Sequence, residues 1–277
     1  MKFINRVGSF DLGKSRTTNN LLHFLTSKRQ KFISSIILLS LGLFIAEYIL
    51  GKSAVVLIFA LSFLTSILLF FSLRADFKEN FSPQALILPF FYSLAIGLFY
   101  LLVPARFITR MAMTFLYALG LYSLFLSINI FTVSAIRTIQ LLSGARTVSL
   151  VLTMLSYFFI SNVVFSFHIN VFVTILLIFS YTFPIVLYAL WTYTLEKDLS
   201  IYMLWVFCLS ICLVEVAIFL WFSLSSPTVI ALFLTAICYV VLGLTHAWLE
   251  KRLFRSVILE YFWVTIISFI FLVLFTN

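Results

Sequence analysis

Glu47 and Glu215 stand inside long apolar runs. An ionisable group there costs roughly 2.5–3.5 kcal/mol on insertion scales, so each needs a partner or a task. Glu47 follows the start of its run at Phe32 by about 15 residues, and Glu215 follows Tyr202 by about 13. At about 1.5 Å of helical rise per residue, both fall in the half of their spans farther from the chain's basic side. Arg106 and Arg110 lie at the same level, between the third and fourth runs. Two acids and two arginines at one depth suit a site open to the outside that binds a polar or charged ligand. They equally suit structural salt bridges between helices, the commoner fate of such acids. Ser40, Glu47 and Gly51 share one helical face, and Cys208, Cys212 and Glu215 share another. Small and polar stripes of this kind usually face neighbouring helices.

A longer stripe runs through Thr228, Thr235, Tyr239, Gly243, His246 and Glu250. Its spacing of seven, four, four, three and four keeps all six on one side of a helix. Glu260 of the following run falls at the depth of His246. These residues read either as a polar pathway with His246, Glu250 and Glu260 as proton or ion groups, or as a packed helix with wet ends. The second reading is the plainer one, because hydroxyl and small side chains are routine at helix contacts. Asn162 reads as an interhelical hydrogen bond.

Other chemistry is missing from the sequence. There is no His-Glu-x-x-His zinc motif, no Gly-x-Ser-x-Gly nucleophile elbow and no Walker phosphate loop. His168 and His246 fall at opposite ends of their spans and cannot share a haem. No metal site and no cofactor are expected, and whether the chain is an enzyme stays open, leaning against. Cys208, Cys212 and Cys238 all lie in apolar runs and read as reduced, buried side chains.

The elements that must carry these residues follow from composition. Of 277 residues, 64% are hydrophobic and 10% charged, with a net charge of +9. Soluble domains are nearer half apolar and a quarter charged, so this chain is no soluble enzyme, disordered chain or disulfide scaffold. The expected class is all-α, a polytopic transmembrane helix bundle. Nine runs approach the length of about 20 residues that spans a bilayer. They cover 32–50, 54–73, 85–103, 111–131, 150–168, 171–194, 202–223, 228–249 and 257–275. Residues 1–31 form a basic tail with a short interfacial helix at 21–25, and 32–277 form the transmembrane domain. The run after the tail is too long for a signal-peptide core, and no small-residue cleavage site follows it. The segment Thr132–Ser149 is either an amphipathic helix at the interface or an extension of its neighbours. Pro89 and Pro184 sit inside spans and should kink or loosen them.

With the N-terminus placed in the cytoplasm and the spans alternating, fifteen of the 18 basic residues fall inside. Lys52, Arg106 and Arg110 fall outside. That imbalance is the positive-inside pattern, and it accounts for the net charge without nucleic acid. Nine spans then put the C-terminus outside. The bilayer is the expected partner, joined by a membrane-protein partner or a second copy of the chain. The cytoplasmic membrane of a bacterium is the expected location.

The hydropathy profile, with the stretch from Ile136-Arg137-Thr138 to Ala145-Arg146-Thr147 between two spans, resembles uncharacterised bacterial polytopic membrane families. The resemblance implies a membrane protein without an assigned activity and carries over no site residue. Three functions fit the residues. A permease for a small polar or charged solute comes first, a non-catalytic component of an envelope assembly second, and a membrane-embedded enzyme acting on a lipid third.

Overall fold

An apolar run in a bilayer can satisfy its backbone only as a helix or a closed barrel, and these runs lack the alternation of barrel strands. A computed structural model describes residues 28–50, 54–74, 82–104, 106–134, 141–195, 200–223 and 225–276. Among them are nine helices long and apolar enough to cross a membrane. They are α1 (Lys28–Leu50), α2 (Val55–Ser72), α3 (Ile87–Leu102), α4 (Phe107–Ser134), α5 (Leu142–Ser166), α6 (Val171–Thr194), α7 (Met203–Trp221), α8 (Pro227–Leu249) and α9 (Arg255–Leu274). The basic tail through residue 27, with the expected helix at 21–25, lies outside the described residues.

Helix α5 is the axis of the bundle and packs on α3, α4, α6 and α8. Helices α1 to α4 gather on one side of it. On the other side α7 packs on α6 and α8, and α9 leans chiefly on α8. The segment Thr132–Ser149 resolves in part toward helix extension. Helix α4 runs on to Ser134, and α5 begins at Leu142, eight residues before the expected start. The reason is a buried stripe, Ala145, Ser149, Leu152 and Ser156, that continues below residue 150. Residues 135–140 are outside the description. Pro89 falls in the first turn of α3, behind a 3-10 turn at Pro83–Leu86, where its missing N–H breaks no bond. Pro184 is inside α6, as expected.

With only eight glycines in the chain, close backbone packing is not the main adhesive. Buried tyrosines take that role by bonding to hydroxyls on the next helix. Between α5 and α6, Ser149 pairs with Tyr188 at 2.8 Å, Tyr157 with Thr182 at 3.2 Å and Ser161 with Tyr181 at 2.8 Å. These pairs run antiparallel along the two helices like rungs. On the other side Tyr117 bonds Ser93 at 2.8 Å, and Thr65 lies 3.2 Å from Ser93, joining α2, α3 and α4. Gly120 of α4 is needed for contact, because the Tyr92 ring of α3 occupies the space of a Cβ there.

Candidate functional site

Among the described residues the α8 stripe borders both an apolar groove and a cluster of polar side chains. Leu232, Thr235, Ala236, Tyr239, Gly243, His246 and Glu250 lie within a narrow arc of that helix. Along its first part the arc floors a lateral groove of about 550 Å³ between α5, α8 and α9. Val151, Leu155 and Phe158 of α5 and Val264 of α9 form the walls. The groove is almost entirely apolar. The Thr235 hydroxyl is spent on the Ala231 carbonyl at 2.7 Å, which leaves the Tyr239 phenol as the polar feature at one end.

Beyond Tyr239 the stripe changes character. The Tyr261 ring of α9 stands 5.6 Å from the Tyr239 ring and lies directly on Gly243, filling the space that a side chain would take. One turn on, His246 is 5% exposed. Its Nε2 lies 3.2 Å from the Ala189 carbonyl of α6. A carbonyl only accepts, so Nε2 carries the hydrogen and Nδ1 is a bare acceptor. That Nδ1 is buried and has no hydrogen-bond partner among the described residues. The Tyr193 ring stacks on the imidazole at 3.5 Å with planes 21° apart.

Arg146 closes this end. Its Nε donates to the Thr192 carbonyl at 3.1 Å and its Nη2 to the Tyr193 carbonyl at 2.8 Å. These are among the last carbonyls of α6, which have no partner within the helix and sit at its negative pole. The guanidinium carbon is 4.8 Å from the Tyr193 ring centroid. Glu250 approaches Arg146 at 3.6 Å and Arg252 at 3.8 Å. Helix α8 ends there in a Schellman turn, with Arg252 N–H donating to the Ala247 carbonyl at 2.8 Å and Lys251 at φ 55° where glycine is usual. Leu195, at φ 52°, ends α6 in the same left-handed conformation.

A family profile described as "Protein of unknown function (DUF5656)" matches residues 34–275. The chain belongs to this family. No curated protein and no solved structure matches it. In this DUF5656 member the family match spans all nine helices and assigns no chemistry to any residue.

The other expected residues are more scattered. Glu260 is exposed in the first turns of α9, beside Tyr261. Thr228 receives a bond from Asn162 Nδ2 at 3.1 Å, so Asn162 makes an interhelical contact as its setting suggested. Glu215 is exposed on α7, with Cys208 and Cys212 exposed on the same face. This corrects the expectation that the face is buried against a neighbour. Helix α7 seats Val206, Ser210, Leu213 and Ala217 on the bundle and turns the cysteine face outward. Cys238 is buried. Arg106 is exposed and Arg110 half-buried at the start of α4. Helix α4 packs on α1, α3 and α5, whereas α7 packs on α6 and α8, so Glu215 and the two arginines sit on different flanks of the bundle. The Glu47 side chain lies outside the described residues.

Arg146, Tyr193 and the groove itself escaped the sequence reading. Arg146 falls in the segment Thr132–Ser149, which the sequence leaves open between an interfacial helix and an extension of its neighbours. The continuing Ala145, Ser149, Leu152 stripe is the signal that would have placed it on α5. Tyr193 had no signal, since its role comes from where α6 ends.

Proposed function

We propose that this membrane protein binds a lipid-like amphiphile from the side, holding its chain in the α5–α8–α9 groove and its head toward the Arg146 end. The observation that carries this reading is the groove: lateral, apolar, about 550 Å³, and in line along α8 with a polar cluster beyond Tyr261. That volume lies within the ordinary range of small-ligand sites, about 300–1,000 Å³. The basic end belongs in the cytoplasm by the positive-inside pattern, so the head would sit near the inner leaflet. Transport of a small polar or charged solute draws on Glu47, Glu215, Arg106 and Arg110. It is the weaker reading, because Glu215 faces outward on the flank away from the arginines.

The experiment is to purify the protein in nanodiscs and compare bound lipid with the surrounding lipid by mass spectrometry. Selective enrichment is expected in the wild type and its loss in Ala236→Phe, which fills the groove floor. A bound fraction identical to the bulk, unchanged by Ala236→Phe, overturns the reading. A second reading rests on α9, which packs chiefly on α8 and exposes Phe262, Trp263, Ile267 and Ile270. That surface suits a partner helix in an envelope assembly. Cross-linking from a cysteine at Ile267, with Cys208 and Cys212 replaced by Ser, tests it: a specific membrane-protein adduct supports a partner there, and no adduct removes it.

A further inference from the structure

We infer that His246 is the head-group contact of the proposed ligand, that Tyr261 is a plug between it and the groove, and that the ligand is a neutral, hydroxyl-bearing lipid of alcohol type. The inference rests on the lateral-groove reading above and adds to it the chemistry of the head.

An apolar groove in a bilayer selects poorly. Lipid tails are as apolar as Leu side chains, so moving a chain from the bilayer into the groove gains little beyond packing. Selectivity must come from a polar contact. Along the α8 arc Gly243 has no side chain, the Thr235 hydroxyl has given its one hydrogen to Ala231 and keeps only acceptor capacity, and the Tyr239 phenol stands at the groove end against the Tyr261 ring. Beyond them, His246 Nδ1 is a buried atom with no hydrogen-bond partner among the described residues. Its hydrogen-bearing partner atom is held by Ala189, which fixes Nδ1 as an acceptor. A buried acceptor without a donor is costly, about 1–3 kcal/mol, and a ligand that supplies the donor recovers this.

Charge narrows the donor. A phosphate diester or a carboxylate offers only acceptors and leaves Nδ1 unfilled. An ammonium head donates but meets the Arg146 guanidinium, which stands against the Tyr193 ring that also stacks on His246. Arg146 is itself held by Thr192, Tyr193 and Glu250, so it is not presented as an anion receptor. A neutral hydroxyl satisfies Nδ1 without either penalty.

The route is the Gly243 notch. Gly243 lies midway between Tyr239, at the groove end, and His246, and the Tyr261 phenol now fills it. Tyr261 belongs to the helix with the fewest attachments, so it can leave the notch without disturbing the core. A head at His246 with its chain lying along α8 to Leu232 spans about 21 Å, the length of a long alkyl chain.

The test uses the full-length protein in nanodiscs with photoreactive hexadecanol and its methyl ether, reading covalent labelling of α5, α8 and α9 by mass spectrometry. The wild type should label with the alcohol about tenfold more than with the ether, the effect of one buried hydrogen bond. His246→Leu should label equally with both. Tyr261→Ala, which removes the plug and leaves His246 in place, should raise alcohol labelling several-fold and keep the preference. Equal labelling of the wild type by both probes, still abolished by Ala236→Phe, overturns the head-group assignment and leaves the groove reading standing. Labelling that ignores Ala236→Phe sinks the groove reading and this inference together. Alcohol labelling unchanged in Tyr261→Ala refutes the plug.

Discussion

Arg146 and Glu250 form an ion pair in which the two partners have unequal duties. Arg146 makes two charge-assisted bonds to carbonyls at the end of α6, and removing it strands those acceptors. Each such bond contributes about 1.5–3 kcal/mol. Glu250 is more than a third exposed and lies 3.6 Å away, so solvent screens most of its attraction. Arg146→Ala should therefore lower the thermal midpoint in detergent markedly, by the equivalent of at least about 3 kcal/mol. Glu250→Gln should lower it by less than about 1 kcal/mol. Equal losses would mean that the salt bridge, rather than the helix cap, is what the arginine serves. Glu215 gives a contrasting case. It stands on the outward face of α7 with no ion pair among the described residues, at a depth where a carboxylate is costly, so Glu215→Gln should leave the thermal midpoint unchanged or raise it. A clear destabilisation would show that Glu215 has a buried partner after all.

The α5–α6 pair shows how helices are joined here. Three tyrosine–hydroxyl rungs run from Ser149–Tyr188 at one end to Ser161–Tyr181 at the other. In bilayers such bonds average about 0.6 kcal/mol each, so no single rung should decide the fold. Tyr188→Phe and Ser149→Ala should each cost about 0.5–1 kcal/mol, and the double variant should cost no more than the larger single, since both remove one bond. Additive losses measured by thermal unfolding would show that the two side chains act independently. None of these rungs was legible as a pairing in the sequence, although the helices were. Nine helices could be read because an apolar run of span length has one backbone solution in lipid. Their rotation could be read only in part. The α8 stripe predicted a shared face, which the helix has, because spacings of seven, four and three return each residue to the same side of a helix. The Cys208, Cys212, Glu215 stripe misled, because small and polar residues mark a packed face only on average, and α7 is held by Val206, Leu213 and Ala217 instead. Arg146 was hidden because its segment suits an interfacial helix and a helix extension equally, and only the position of the α6 terminus gives that charge a place inside the bundle.

The whole molecule is a core with one loosely held helix. Of the α5 span 67% is buried within the protein, against 11% for α9. In water a helix so exposed would be driven onto its neighbour by its apolar surface. In a bilayer that force is absent, because lipid covers the vacated face of α8 about as well as α9 does. What holds α9 is local: Tyr261 on Gly243, Leu272 near the far end, and the Thr276 hydroxyl paired with Ser225. A chain ending at Lys251 should therefore remain folded and monodisperse in detergent. Its midpoint should fall by less than that of Tyr157→Ala, which empties a fully buried site between α5 and α6 and costs about 3–5 kcal/mol by analogy with other aromatic truncations. If the truncated chain aggregates or unfolds, α9 is integral to the core, and a tyrosine plug carried by a mobile helix becomes untenable. If it stays folded, the helix that walls the groove is free to move without unfolding the rest, which is what opening the notch at Gly243 requires.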